Sequence, residues 1–166
     1  MIKILIFLFP VFLLSSNLGL NDFKASFTQT ITTPKNKKIT YSGVIKFSKK
    51  TMKWEYRKPT KKEICSKNNE FLVVDHDLEQ VTLMKSSRSV DFLEVLNKAK
   101  FYKNNIYTTK LFGKTYTLSV KNKKLIYITF YDDLENKVVI YLRDHSFSKF
   151  GNMKCNYPND YDFIVN

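Results

Sequence analysis

Glycine and proline are scarce, with four of each in 166 residues. That excludes a collagen-like repeat and a flexible low-complexity chain. Two cysteines are too few for a disulfide-dense scaffold, and two histidines without a local Cys/His cluster leave no zinc signature. The apolar run Ile4–Leu14 has eleven residues, against about 20 for a membrane-spanning helix. Arginine is nearly missing, three against 25 lysines. Sequence-specific reading of DNA leans on arginine's planar fork of donors, so that class has little support. Neither a Gly-x-Ser-x-Gly elbow nor a glycine-rich phosphate loop occurs. Acidic residues are the last shortage: 15 against 28 Lys+Arg, for a formal net charge of +13. An excess of that size points to an anionic partner, whether nucleic acid, lipid headgroup or acidic protein face.

Apolar residues are plentiful. They make up 43% of the chain and aromatics 15%, with 14 Phe and 10 Tyr, which is too apolar for a disordered polybasic tail. The length suits one domain with a core of its own. Met1-Ile2-Lys3, the apolar run Ile4–Leu14 and the pair Ser15-Ser16 follow the plan of a secretory signal peptide. Residues 1–16 are expected to be removed by a cut between Ser16 and Gly19, leaving 17–166 as a single domain; an uncleaved anchor is the other reading. No Cys lies near the cut to take a lipid. Export removes access to nucleic acid. It also places Cys65 and Cys155 in an oxidising compartment, which favours a disulfide. Two separate buried thiols remain compatible with the sequence, because spacing carries no Cα distance.

Residues 23–32 alternate apolar and polar, the period of a half-buried strand. Further strands are expected at 39–47, 52–57, 63–66, 70–74 and 80–84, then at 114–120, 125–131, 138–142 and 145–148; alternation is clear in 39–47, 52–57 and 114–120, and turn clusters bound the rest. Between the two groups, apolar residues at Phe92, Leu93, Val95, Leu96 and Ala99 take helical spacing over 89–99, with Ser89 as N-cap. Many short strands and one central helix predict a mainly β, α+β fold: a curled antiparallel sheet with a helix against it. Asp75-His76-Asp77 with Glu79, and Asp132-Asp133 with Glu135, read as solvated turns rather than acid/base groups.

Two features point to a partner. From Lys35 to Lys67 there are twelve Lys+Arg against Glu55 and Glu63, a local excess of 12 − 2 = +10. Lys35, Lys37 and Lys38 share one turn, and Lys58, Lys61 and Lys62 another. These suit an acidic protein or a membrane surface, with a general solubility coat as the bland alternative. The second feature is apolar. Phe27, Ile45, Phe47, Met52, Trp54 and Tyr56 lie on one side of three successive strands, more surface than one helix covers. With Phe92, Leu93 and Leu96 as part of a movable lid, such a face is a natural pocket for acyl chains.

Three stretches together resemble the periplasmic outer-membrane lipoprotein carrier family, LolA. They are Phe23-Lys24-Ala25-Ser26-Phe27-Thr28-Gln29-Thr30, then Trp54-Glu55-Tyr56-Arg57-Lys58-Pro59, then Val74-Asp75-His76-Asp77-Leu78-Glu79-Gln80-Val81-Thr82. The resemblance implies an open half-barrel of about eleven antiparallel strands under a helical lid. It implies no catalysis and no cofactor. The implied location is the periplasm of a Gram-negative bacterium, and the implied state a monomer. The implied partners are acylated lipoproteins, an inner-membrane lipoprotein-releasing ABC transporter, and an outer-membrane acceptor or the outer membrane itself. The chain departs from the family in three ways. The helix before the first strand is nearly missing. Lys49 or Lys50 stands where an arginine latches the lid, and a lysine lacks the planar fork. The compact segment after the middle helix predicts no appended C-terminal element. The rival readings are a lipid-binding or envelope-stress-sensing module on the same half-barrel, and a secreted basic hydrolase.

Overall fold

The computed structural model describes residues 18, 20–48, 51–67, 70–85, 92–147 and 153–165. The expected leader, Ser89, Lys49 and Lys50 lie outside the described residues. The strands expected in the first half form: β1 (Phe23–Thr32), β2 (Lys38–Ser48), β3 (Thr51–Lys58), β4 (Lys62–Lys67), β5 (Glu70–Asp75) and β6 (Gln80–Lys85). A helix α1 (Phe92–Lys98) follows. Then come β7 (Lys100–Lys103), β8 (Ile106–Leu111), β9 (Lys114–Lys121), β10 (Lys124–Tyr131), β11 (Lys137–Ser146) and β12 (Asp162–Val165). The last two expected strands are one, β11, in which Asp144 takes φ 54°.

The twelve strands form one sheet in the order β12-β6-β5-β4-β3-β2-β1-β11-β10-β9-β8-β7. Its ends do not pair, so the sheet is open. Two stacks of local hairpins meet at a seam where β1 pairs antiparallel with β11, Phe27 opposite Leu142 and Ile31 opposite Val138. Antiparallel order sends the β1–β2, β3–β4, β5–β6, β8–β9 and β10–β11 turns to one end, here the upper. The β7–β8 and β9–β10 turns go to the lower end. The chain leaves β6 at the lower end and enters β7 at the upper, so α1 crosses the sheet between them.

One ring measures the curl. Phe92 on α1 lies 5.4 Å from Trp54 on β3 and 6.4 Å from Tyr116 on β9. Those strands stand five positions apart, about 24 Å in a flat sheet. A single side chain reaches both because the sheet wraps around it. The concave face is the core: Phe23, Phe27, Ile45, Phe47, Met52 and Trp54 from one stack, and Leu118, Leu125, Ile128 and Ile140 from the other.

The C-terminal segment corrects an expectation. Residues 153–161 cross the convex face of β3–β5, and β12 then joins the β6 edge in parallel, Phe163 opposite Val81. An appended element is therefore present. Cys65 and Cys155 are bonded, with Cα atoms 5.8 Å apart. The Asn156 amide donates to Glu63 Oε2 at 2.9 Å, and the Asp162 amide to the Glu79 carbonyl at 2.9 Å. Beneath the strap, Lys53 is only 2% exposed. Its Nζ donates to the Lys154 carbonyl at 2.9 Å and pairs with Glu63 at 3.0 Å and Glu55 at 3.5 Å. A buried ammonium is tolerable when its hydrogen-bonding positions are filled this way. Burial pushes the Glu55 carboxyl up, but Lys46 and Lys53 outweigh it and hold it below the usual carboxylate range.

Candidate functional site

The concave face gathers the apolar residues that alternation pointed to. Phe27, Ile45, Phe47, Met52 and Trp54 are buried in one cluster with Leu93 and Leu96 of α1, and Tyr56 and Phe92 pack against it. Register explains the grouping: Phe47 stands opposite Met52 and Ile45 opposite Trp54, so their side chains share a face. The aromatics touch edge to face, Phe27 to Trp54 at 4.9 Å and Phe27 to Tyr56 at 5.0 Å.

Polar atoms on this face are few. The Trp54 indole N–H points at the Met52 sulfur, 3.1 Å away, and the Tyr56 hydroxyl donates to Gln29 Oε1 at 2.8 Å. The Tyr116 hydroxyl is buried without a hydrogen-bond partner. Burial, with the Asp133 charge added, pushes its pKa up to about 12. Among the described residues of this face no nucleophile stands beside a base, and the lining is mainly apolar.

Between α1 and β3–β6 lies a cavity of about 130 Å³, lined by Met52, Trp54, Ile64, Phe71, Met84 and Phe92. A dry apolar cavity of ~150 Å³ takes one benzene-sized molecule. This one holds no more than that, because α1 occupies the rest of the hollow. Phe92 sits at its centre. It contacts Trp54, Tyr116 and Phe130 and so spans both stacks.

Sequence reasoning missed the second wall. Tyr116 and Phe130, 4.9 Å apart on β9 and β10, complete the cage around Phe92. The alternation of Tyr116, Leu118 and Val120 was the available signal; it marks a strand but not which strands of the first stack lie across from it. The basic turns fall on neighbouring hairpins at the upper end. Lys35, Lys37 and Lys38 are exposed between β1 and β2, and Lys58 and Lys61 between β3 and β4. Lys62 is partly neutralised by Asp75 at 2.9 Å. The lysines thus rim the apolar face without entering it.

A family model described as outer membrane lipoprotein carrier protein LolA matches residues 19–146. The chain is 30% identical to an outer-membrane lipoprotein carrier protein of Campylobacter jejuni over 164 residues, covering 97% of this chain and 96% of that one. It is 33% identical to the same-named protein of Helicobacter pylori over 124 residues, covering 74% and 66%. Among solved structures, an uncharacterized conserved protein from Thermus thermophilus matches with TM-score 0.57 at 9% identity, covering 92% of this chain and 94% of that one. That likeness is one of fold.

Proposed function

The chain belongs to the outer membrane lipoprotein carrier protein LolA family, and on that premise we propose that it carries lipoproteins across the periplasm by sheltering their acyl chains. In this reading it takes acylated lipoproteins from an inner-membrane ABC transporter. It delivers them to an outer-membrane acceptor or to the outer membrane itself, without catalysis. The observation that carries the proposal is the position of α1: Phe92 plugs an apolar face whose present cavity is about 130 Å³. Cargo enters as the helix leaves. The concave residues Phe27, Ile45, Phe47, Met52, Trp54 and Tyr56 then exchange contact with Phe92, Leu93 and Leu96 for contact with acyl chains. The exchange keeps the hold reversible. Each CH₂ sheltered is worth about 0.8 kcal/mol, offset by the helix contacts given up. The upper lysines face acidic partners during handover.

The test is copurification with acylated lipoprotein. Trp54→Glu and Leu96→Glu are each expected to cut bound cargo at least ~10-fold while the far-ultraviolet circular dichroism stays that of a β protein. Raising salt from about 50 to about 500 mM should slow handover but leave loaded cargo in place, because screening acts on exposed charges and not on apolar contact. Wild-type protein that binds no acylated lipoprotein, and accepts none from inner-membrane vesicles, refutes the proposal.

A further inference from the structure

The lower end of the sheet carries a second basic surface. From residue 95 to residue 131 there are eight lysines and no acidic residue. Four of them converge on two adjoining hairpin tips. Lys103 closes β7 before the Asn104-Asn105 turn; Lys121 and Lys124 flank the Asn122-Lys123 turn. Both turns place two successive residues at positive φ: 45° and 64° in the first, 51° and 59° in the second. That is the geometry of a tight two-residue hairpin. The tips are tied together, the Val120 amide donating to the Asn105 carbonyl at 2.9 Å.

Two aromatics stand among these lysines in the open. Tyr102 is 61% exposed and Phe147 43% exposed. Each has a lysine beside its ring, Lys103 Nζ 5.3 Å from the Tyr102 centroid and Lys124 Nζ 5.7 Å from that of Phe147. Exposed rings between lysines match a bilayer interface, where the ring seats at headgroup depth and the ammonium meets phosphate. Lysine stems can run along the rings and keep their heads in the polar layer. Asp144 near the end of β11 is the acidic counterweight on the neighbouring strand, against four lysines.

We infer that the β7–β8 and β9–β10 tips form a docking surface for an anionic membrane, recognising lipid phosphate headgroups. This surface is at the opposite end from Lys35, Lys37, Lys38, Lys58 and Lys61, and the inference does not depend on what the concave face carries. Each lysine near an anionic bilayer is worth about five-fold in partitioning.

Sedimentation of the exported chain with vesicles tests it. Wild-type protein at about 50 mM salt is expected to bind phosphatidylglycerol–phosphatidylcholine vesicles and not phosphatidylcholine alone. The variant Lys121→Glu, Lys123→Glu, Lys124→Glu should bind at least ~100-fold more weakly, whereas Lys35→Glu, Lys37→Glu, Lys38→Glu should retain most binding. Tyr102→Trp keeps every charge and adds an exposed indole to the buried one of Trp54. Its emission should shift to the blue on anionic vesicles, while that of wild-type protein stays constant. Two results overturn the inference: no binding of wild-type protein to anionic vesicles, or an equal loss in both triple variants. Unshifted emission from the vesicle-bound Tyr102→Trp variant likewise rules out this surface.

Discussion

At the scale of single residues, three positions show how tightly the sheet constrains its sequence. Gly43 sits where the register between β2 and β3 shifts. A Cβ there would lie 1.9 Å from the Glu55 carbonyl oxygen and 2.9 Å from the Phe27 ring. Gly43→Ala must therefore push two strands apart; a loss of about 3 kcal/mol is expected, read as a lowered urea midpoint. Tyr116 is the converse case. Its buried hydroxyl finds no partner, and such a group costs about 1–3 kcal/mol. Tyr116→Phe should melt at the same temperature or higher. A clear drop in melting temperature would mean that the hydroxyl is satisfied in solution. Lys53 marks where sequence reasoning stops. Alternation puts it opposite Trp54's face, on the outward side, and an outward lysine reads as solvated. Only the strap, whose Lys154 carbonyl lies 101 residues further along the chain, buries it.

The elements differ in how openly the sequence announces them, and the reason is physical. β5 is an unbroken apolar run, because the strap covers its outer face at Leu72, whereas β1 and β3 carry a clean period of two. β7 does not: Lys100-Phe101-Tyr102-Lys103 is exposed on both faces at the sheet edge, so nothing imposes alternation. β8 is masked by Thr108-Thr109, which suit either face, and β12 is four residues of chain held by its neighbour β6. The helix shows the same limit. Its apolar spacing is legible, but that its Phe92 bridges two walls depends on the curl, which no local pattern encodes. The strap is held by one covalent bond and a few polar contacts. The Cys65–Cys155 bond closes a loop of 90 residues, for which chain entropy gives about 4.5 kcal/mol. Reduction should lower the melting temperature by several degrees. It should also speed amide exchange in β12 and β6 before β1 or β11; uniform exchange across the sheet would show that the strap adds no local stability.

The whole molecule should weaken in acid in two steps. Burial lowers the His145 pKa below its ordinary value of 6.5. A depressed histidine binds fewer protons folded than unfolded, so its contribution is present above about pH 6.5 and fades as pH falls. Glu55 and Asp75 also have lowered pKa values: burial opposes this, and their lysine partners Lys46 and Lys62 prevail. Their contribution is present above the ordinary carboxylate range and is lost as pH drops through it. Urea midpoints measured from about pH 8 to about pH 3 should fall gently below about 6.5 and steeply below about 4.5. His145→Gln should flatten the first step only. The seam between β1 and β11 has a further bearing on how the protein comes into being. Chains emerge N-terminus first. The first strand thus waits, one edge unpaired, until β11 arrives, and the strap follows later still. Phe23 and Phe27 are left without their final neighbours for most of synthesis. The concave surface is thus a property of the finished chain, and a chain cut short before β11 is a sticky half-sheet with no shelter to offer.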